Sequence, residues 1–455
     1  MFKQELFAAR AAAIVTTIAL ACVSAPVSAQ EQQPSLDDLE QRVRILERQL
    51  EIAEEEAATK AKSAAVPVAD DRGFAWRSAD NNFELKLRLL AQGDGRFLVE
   101  ETEPPLNDTF ALRRLRPIFE ASLGKLIAVR LTPEFAGTSA TIVDAYIDFK
   151  LSPLYTVRVG KTKGPVSLER LQSGGATMFI ERAYPTELAP NRDIGVMLTG
   201  DYDGGVFSYT LGIFNGVADG RDAAATDVDD EKEIEGRLFF EPFRNSPGFL
   251  QGLGFGVSGT TGDKTGTSVG TGGVLPQYRT PAINTLFQYV TGAAAAGKHE
   301  RLAASTYFYR YSFGLMSEYI ESSQEVTAPG AAATELTHSA WQVSAAYVLT
   351  GEDQTFRAVT KPKSTFVRGA PGIGAWELVA RAMEIDLDDD SFPTYANPAA
   401  SATKATSYGV GLNWYISSNA KIMLNYMQTE FEGGSAGGAD RDAEKVLLGR
   451  FQVSY

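Results

Sequence analysis

Residues 160–182, GKTKGPVSLERLQSGGATMFIER, gather side chains that are suited to contacting an anion. Four of them are cationic and one is a hydroxyl: Lys161, Lys163, Arg170, Ser173 and Arg182. Lysine and arginine give charge-assisted hydrogen bonds to oxyanions, and serine adds a neutral donor. The segment therefore predicts a place where a passing anion exchanges part of its water for protein donors.

A second group of cations recurs at alternating positions of segments that read as strands. If the apolar positions of those segments face lipid, seven arginines face the interior: Arg88, Arg114, Arg116, Arg130, Arg158, Arg237 and Arg381. Interior cations on neighbouring strands would concentrate anions. The alternative is a structural role in ion pairs. The interior acids that could neutralise them are Glu84, Asp144, Asp148 and Glu241.

The acidic composition of the whole chain does not exclude an anion site. The net charge is −14 and the pI is near 4.9. Much of the acid lies in an N-terminal helical segment and in the predicted loops 219–235 and 386–390. Because the field in a pore is set by the groups that line its narrowest part, the net charge describes mainly the outside of the protein.

The elements that would position these cations are strands. From about residue 80 the sequence shows segments of about ten residues with alternating polarity, as in FELKLRLLA, where Phe83, Leu85 and Leu87 alternate with Glu84 and Lys86. Seventeen segments qualify. We discard 281–290, the weakest, because single-chain bacterial barrels have an even number of strands. Sixteen strands remain.

A transmembrane β-barrel explains these strands better than a soluble sandwich. No run of eighteen apolar residues follows residue 30, and only helices and closed barrels satisfy their backbone groups in lipid. Long polar connections alternate with short turns, and Phe451, Val453 and Tyr455 lead to an aromatic C-terminus. We predict an all-β fold, a sixteen-stranded antiparallel transmembrane barrel over residues 80–455.

The N-terminus predicts export and a short coil. Residues 1–29 have a basic start, an apolar run and a small-residue cleavage pattern, which predict a signal peptide. A lipoprotein site at Cys22, the single cysteine, is the alternative. Residues 30–58 carry a narrow heptad seam typical of a coiled coil rather than of an amphipathic helix packed on the barrel. Residues 59–79, rich in alanine, read as a flexible tether.

The opening segment lies between two neighbouring strands and is too long for a turn. Loop 163–190 contains SLERLQSGG, which predicts a short helix capped by Ser167 and ended by Gly174 and Gly175. Connections of this length in compact folds are usually functional. Folded inward, the loop would narrow the pore and present its cations there. Folded outward, it would be an exposed lid.

Three spaced stretches resemble the phosphate-selective porin family, porins O and P. They are RRLRPIFEASLGK, VGKTKGPVSLERLQSGGATMFIERAYPTELAPNRDIGV and FEPFRNSPGFLQGLGFGVSG, and the likeness runs from about residue 75 to the end. The resemblance implies a trimeric sixteen-stranded barrel whose third loop folds into the channel. It also implies basic residues that guide and bind anions.

Matching motif positions assigns roles within the loop. Arg170 stands where the family has a phosphate-binding lysine, and Arg182 matches its loop arginine. Ser173 keeps one member of a serine pair, whereas Gly174 replaces the other. The resemblance thus implies anion passage, and the missing hydroxyl predicts weaker selectivity for phosphate.

The predicted function is an outer-membrane porin that passes small anions, including phosphate or other oxyanions. The alternatives are a general, sugar or dicarboxylate diffusion porin, and a closed structural or adhesive barrel. An enzyme is not expected, since His299 and His338 lie without a nucleophile motif. We expect no cofactor, no metal and no nucleic acid. The expected partners are two further copies in a homotrimer, outer-membrane lipid and lipopolysaccharide, with the coil in the periplasm.

Overall fold

A closed antiparallel barrel forms most of the protein in this computed structural model. The structure describes residues 35–63, 66–70, 73–102, 105–223, 227, 229–267 and 274–455. The chain divides into two compact units, residues 1–64 and 65–455. The predicted signal peptide, residues 1–29, lies outside the described residues.

The first unit contains one described helix, α1 (Leu36–Ser63). The described part of the second contains two short α-helical turns, α2 (Leu168–Leu171) and α3 (Pro185–Leu188), and three 3-10 turns. In the described part of the chain, no helix is both long and apolar enough to cross a membrane. The first ten strands are β1 (Val66–Asp70), β2 (Gly73–Arg77), β3 (Phe83–Leu98), β4 (Thr109–Leu123), β5 (Ile127–Glu134), β6 (Thr141–Ser152), β7 (Tyr155–Lys163), β8 (Arg192–Tyr202), β9 (Phe207–Phe214) and β10 (Glu233–Phe240). The other ten are β11 (Leu253–Thr267), β12 (Gln277–Arg279), β13 (Thr285–Gln288), β14 (Ala294–Arg310), β15 (Phe313–Thr327), β16 (Thr334–Val348), β17 (Ala375–Asp386), β18 (Ala402–Tyr415), β19 (Ala420–Gly433) and β20 (Glu444–Ser454).

Sixteen strands form the barrel among the described residues, as the sequence predicted. Strands β3–β11 and β14–β20 each pair antiparallel with the next, and β20 closes on β3 from Val446↔Leu98 to Ser454↔Leu90. The discarded segment 281–290 contains β13, which pairs only with β12 in a separate two-stranded sheet. Removing that segment from the count was therefore correct.

The barrel has an apolar outside and a polar inside. Outward residues such as Leu211, Val257 and Val410 are exposed, whereas inward polar residues such as Gln342 and Asn413 are buried. Period-two alternation with the apolar set outward is what lipid on one face and water on the other require. The sequence therefore assigned inward and outward faces correctly along most strands.

One side of the interior is filled by a packed core. The third long loop, residues 164–191, lies between β7 and β8 and packs its apolar side chains against the inner faces of β15–β20 and against hairpin β12–β13. The buried residues at this contact include Met178, Phe179, Leu286, Phe287 and Met383. Open space is left on the side of the barrel formed by β4–β10.

Residues 349–374 join β16 to β17 at the end of the barrel where β14–β15 and β18–β19 are joined by short turns. This connection is longer than the predicted pattern of short turns. The backbone oxygen of Phe356 accepts a hydrogen bond of 2.8 Å from Gln172 Nε2 of the third loop. Ala358 and Val359 pack with Ala176 of the same loop. This connection therefore supports the third loop from the turn end.

The predicted tether, residues 59–79, is wrong for most of its length. Helix α1 continues to Ser63, and β2 pairs with β3 from Phe74↔Leu87 to Arg77↔Glu84. That register begins just past the point where β20 ends, and the rings of Phe74 and Tyr455 lie 5.8 Å apart. The β1–β2 hairpin thus covers the edge of β3 that the C-terminus leaves open, which satisfies its backbone groups.

Candidate functional site

A cavity of about 380 Å³ separates the third loop from the inner faces of β4–β10. Among the described residues, six cations line it: Arg116, Arg130, Arg158, Lys163, Arg192 and Arg237. The lining contains a single carboxylate, Asp144, and the loop contributes Ser173 and Gly174. This distribution makes the cavity strongly electropositive.

Part of this charge is balanced by acids in the barrel wall. Arg158 forms a bidentate pair with Asp148 at 2.6 and 3.0 Å. Asp144 is shared by Arg192 at 3.0 Å and Arg130 at 3.6 Å. The structural alternative is therefore correct for these two acids.

The remaining acids considered from the sequence behave differently. Glu84 pairs with Arg77 and Lys86, and Glu241 pairs with Arg244. None of these three cations lines the cavity described above.

Arg116, like Arg158, has an acid of its own. It pairs with Glu134 at 2.6 Å, and Glu134 also accepts hydrogen bonds from the backbone of Leu115 and Ala136. The carboxylate is therefore held by backbone donors and does not line the cavity, whereas Arg116 does. Such fixed pairs orient the guanidinium as well as neutralising it.

Among the described residues, Arg237 is the lining arginine that has no acid partner. Its guanidinium lies 4.3 Å from the ring centroid of Phe239, and no ion pair to it occurs among the described residues. The ring holds the guanidinium in place without neutralising it. Arg237 therefore contributes a full positive charge to the cavity.

Arg114 is a buried guanidinium at the edge of the cavity. It is 7% exposed, donates to Gln92 Oε1 at 2.6 Å and has no ion pair in the described part of the chain. Its Nε has no hydrogen-bond partner. A side chain added at Gly174 would place its Cβ 3.2 Å from that Nε. An unpartnered buried donor beside the loop marks a position that an anion or a hydroxyl would satisfy.

Arg381 does not line the cavity, contrary to the sequence prediction. It is 4% exposed and donates to Glu169 Oε1 at 2.5 Å, Ser344 Oγ at 2.8 Å and the Glu181 backbone oxygen at 2.9 Å. The third loop lies on the side of the barrel that carries β17, so this arginine is covered and anchors the loop.

A second anchor holds the start of α2. The carboxylate of Glu318 accepts hydrogen bonds from the backbone nitrogens of Leu168 and Glu169, and Ser167 caps the helix as predicted. The helix ends at Leu171, before the glycine pair that we expected to end it. Backbone donors at a helix start commonly take a carboxylate in this way.

Arg170 and Arg182, which the sequence assigned to anion contact, do not converge on one site in this structure. Arg182 donates to the backbone oxygens of Glu169 and Gln172, at 3.2 and 2.9 Å. Arg170 is 7% exposed and donates to the backbone oxygen of Thr186. Both guanidiniums donate to backbone carbonyl groups of the third loop, and neither lines the cavity.

The two lysines of the segment also contact backbone. Lys163 Nζ donates to the oxygens of Arg170 and Gln172 at 2.6 and 2.7 Å, while its side chain still borders the cavity. Lys161 Nζ donates to the Ala223 oxygen at 2.8 Å and lies outside the lining. Ser173 is exposed and lines the cavity.

Arg88 lies apart from the cavity at the turn end of the barrel. It borders a second space of about 420 Å³ together with Lys86 and Arg77, and it lies 3.6 Å from Glu120. Arg88 therefore does not contribute to the cavity beside the third loop.

Two cations at or near the cavity were missed by the sequence reasoning. Arg192 sits at the start of β8, where strand alternation has not begun. Arg113 is a β-bulge, since Gln92 pairs with Arg114 and Gly93 with Leu112. A bulge turns successive side chains to the same face, so Arg113 reaches Glu181 at 2.9 and 3.0 Å. The adjacent arginines in RRLR were the available signal.

The Arg113–Glu181 pair, which joins β4 to the third loop, is ionised at neutral pH. Burial would raise the pKa of Glu181, but Arg113 and then Arg450 lower it to about 2. Burial, and next the neighbouring Arg170, lowers the pKa of Arg182. The Arg113–Glu181 contact therefore persists through the physiological range and ties the loop to β4.

Comparison with known proteins is consistent with this geometry. The family model described as phosphate-selective porin O and P matches residues 83–455. Porin O of Pseudomonas aeruginosa is 25% identical over 133 residues, 29% of this chain. That match covers 30% of the length of Porin O.

Solved structures show the same fold at low identity. An anion-selective porin from Comamonas acidovorans matches with a TM-score of 0.52 and 9% identity, covering 82% of this chain and all of that chain. OmpT of Vibrio cholerae in its trimer form matches with a TM-score of 0.52 and 12% identity, covering 82% of this chain and 99% of that chain.

Proposed function

Because the chain belongs to the phosphate-selective porin O and P family, we propose that it is an outer-membrane porin that passes small anions. The observation that carries this proposal is the cavity lined by six cations and, among the described residues, one carboxylate. The proposal is of a channel and not of an enzyme. Its path runs between the third loop and β4–β10, with lipid and lipopolysaccharide around the barrel.

The chemistry of passage is partial replacement of hydration. An anion entering the cavity meets guanidinium donors that are already oriented by their acids, such as Arg116 and Arg158, so little reorganisation is needed. Arg237 adds charge without a competing acid. Ser173 and the unpartnered Nε of Arg114 add donors at the loop. Because the contacts are favourable but spread over several donors, the anion can both enter and leave the cavity.

The test is the reversal potential across a planar bilayer with unequal KCl concentrations. We expect chloride preference that is strong at 0.01 M and weak at 1 M, since the Debye length falls from about 30 Å to about 3 Å. Phosphate added to the bath should reduce the chloride current. Cation preference at low salt would reject the proposal, and absence of ionic current would instead indicate a closed barrel.

We expect Gly174→Ser to tighten block by phosphate. Gly174 does not adopt a positive φ, so serine introduces no left-handed strain. Its Cβ would lie 3.2 Å from Arg114 Nε, which requires a small shift and brings an acceptor to the orphaned donor. The serine at position 174 then offers the anion a second hydroxyl donor beside that of Ser173. The measurement is the half-blocking phosphate concentration, with Gly174→Ala as the matched control.

If Gly174→Ala tightens the block as much as Gly174→Ser, the hydroxyl is not the cause. If both variants lose current altogether, the shift of Arg114 closes the passage, and the proposed contribution of a hydroxyl fails.

We propose that the protein assembles as a homotrimer with α1 as an auxiliary parallel coil in the periplasm. The seam residues Leu39, Val43, Leu46 and Leu50 are exposed in α1. In a parallel register Arg42 of one copy approaches Glu47 of the next, whereas an antiparallel register would bring the glutamates together. Such a short coil is marginal alone and gains from chains held together elsewhere.

Deleting residues 30–63 should leave a trimer that is less resistant to heat. The deletion removes α1 but keeps the β1–β2 hairpin that pairs with β3. Because contacts between the barrels hold the trimer together in this proposal, the coil only raises the effective concentration of the chains. The check is the temperature at which the trimer band converts to monomer on gels. Monomers alone at low temperature would show that the coil holds the assembly.

A further inference from the structure

The cavity beside the third loop is lined by apolar side chains as well as by cations. Leu90 on β3, Ile118 on β4 and Met197 on β8 occupy inward positions of their strands and line this cavity. The interior of a barrel that holds a water-filled channel is ordinarily polar. Three inward apolar side chains at one passage are therefore an exception that needs a physical reason.

The apolar core of the protein does not supply that reason. All three side chains are at most 8% exposed, yet in the described part of the chain none of them belongs to the packed apolar clusters that form the core. Met178 and Met383, by contrast, are buried in the core under the third loop. Leu90, Ile118 and Met197 border the cavity instead, so a solute that enters it can supply the apolar contact that the core does not.

Each of these apolar side chains has a cation beside it on the same face of the sheet. Leu90 is the cross-strand partner of Arg116, and Met197 is the cross-strand partner of Arg158. Directly paired residues have Cβ atoms about 4.5–5.5 Å apart. Ile118 follows Arg116 by two residues on the same strand, a distance of about 7 Å. The wall therefore presents oxyanion-binding groups and apolar surface side by side.

The third loop contributes apolar surface to the same cavity. Pro165 and Leu171 line it from the loop, and Leu171 is only partly buried. A solute in the cavity thus meets apolar side chains on the loop as well as on the wall. Pockets for organic molecules have this composition, in which apolar surface surrounds a few placed polar groups.

We propose that the cavity is suited to organic anions, namely carboxylates that carry a compact apolar body. Arg116 donates from its Nε to Glu134, so its terminal nitrogens can turn to the carboxylate of a solute. The body then covers Ile118 and Met197. Inorganic phosphate uses the cations but leaves these apolar side chains uncovered. The inference rests on the proposed anion porin and names the class of anion that it favours.

The first test compares two carboxylates on the wild-type protein in a planar bilayer. Benzoate and acetate carry the same charged group at neutral pH, and only benzoate has a ring. Benzoate should halve the chloride current at a concentration about tenfold lower than acetate, because its ring covers apolar surface. Equal half-blocking concentrations, with chloride preference intact, would overturn this inference alone. Cation preference at low salt would overturn the proposed porin function as well.

Two substitutions on different strands locate the apolar contact. Ile118→Thr and Met197→Gln keep side chains of similar size but make them polar. Each should raise the ratio of the half-blocking concentrations of benzoate and phosphate by about threefold or more. The matched control is Ile147→Thr on β6, at an outward residue that is 41% exposed and lies outside the cavity.

An unchanged ratio in the folded cavity variants would overturn the assignment of the apolar contact to these side chains, and so would an equal change in Ile147→Thr. The two cavity variants fold independently of one another. The comparison of benzoate with acetate requires no substitution, so it decides the class of anion even if both variants misfold.

Discussion

Arg237→Glu should reduce the preference for chloride over potassium at 0.01 M salt by about tenfold or more. Arg237 lines the cavity, stacks on Phe239 and has no ion pair among the described residues. The substitution changes the local charge by two units. At about 4 Å in water each unit changes the ion's energy by about 1 kcal/mol, and 1.4 kcal/mol is a tenfold change.

The Arg130→Gln, Arg237→Glu double variant should move the preference further, because it leaves four lining cations against two lining acids. The control is Lys298→Glu, which makes the same change in net charge at an exposed site outside the cavity. The reversal potential at 0.01 M and 1 M salt is the measurement. Equal shifts from Lys298→Glu and Arg237→Glu would mean that the net charge, and not this cavity, sets selectivity.

Arg381→Ala should destabilise the barrel by about 3–5 kcal/mol, because removing one partner of a buried pair leaves an uncompensated charge. Both side chains of the Arg381–Glu169 pair are at most 1% exposed. The substitution also removes the bond to the Glu181 backbone oxygen, so the third loop should detach from β17. We expect a lower denaturation midpoint together with larger and noisier single-channel currents.

Two further variants separate the loss of stability from the detachment of the third loop. Arg381→Met combined with Glu169→Gln removes the Glu169 carboxylate that Arg381→Ala leaves buried and unpaired. This double variant should recover most of the stability without restoring the loop position. Arg244→Ala breaks the exposed pair with Glu241 and should cost at most about 1 kcal/mol. A quiet, wild-type current in Arg381→Ala would show that the other contacts of the loop hold it without this anchor.

The strands and their faces could be predicted because each residue's environment follows from its position in a short local pattern. Lipid outside and water inside impose a period of two, which Phe83, Leu85 and Leu87 show directly in the sequence. The pattern failed at Arg113, where a bulge shifts the phase of β4 by one residue. It also failed at residues 66–77, where pairing to a distant edge and not local composition makes the strands.

The roles of the cations could not be read in the same way, since they depend on which wall the third loop covers. Arg158 and Arg381 have the same inward position in their strands, yet one lines the cavity and the other is buried under the loop. The loop cations likewise turn toward backbone carbonyl groups of the loop itself. The sequence by itself determined the barrel, its strand number and the location of cations inside it, because local alternation encodes these. Only the tertiary structure decided which cations face open space, because that follows from contacts between segments as far apart as Glu169 and Arg381.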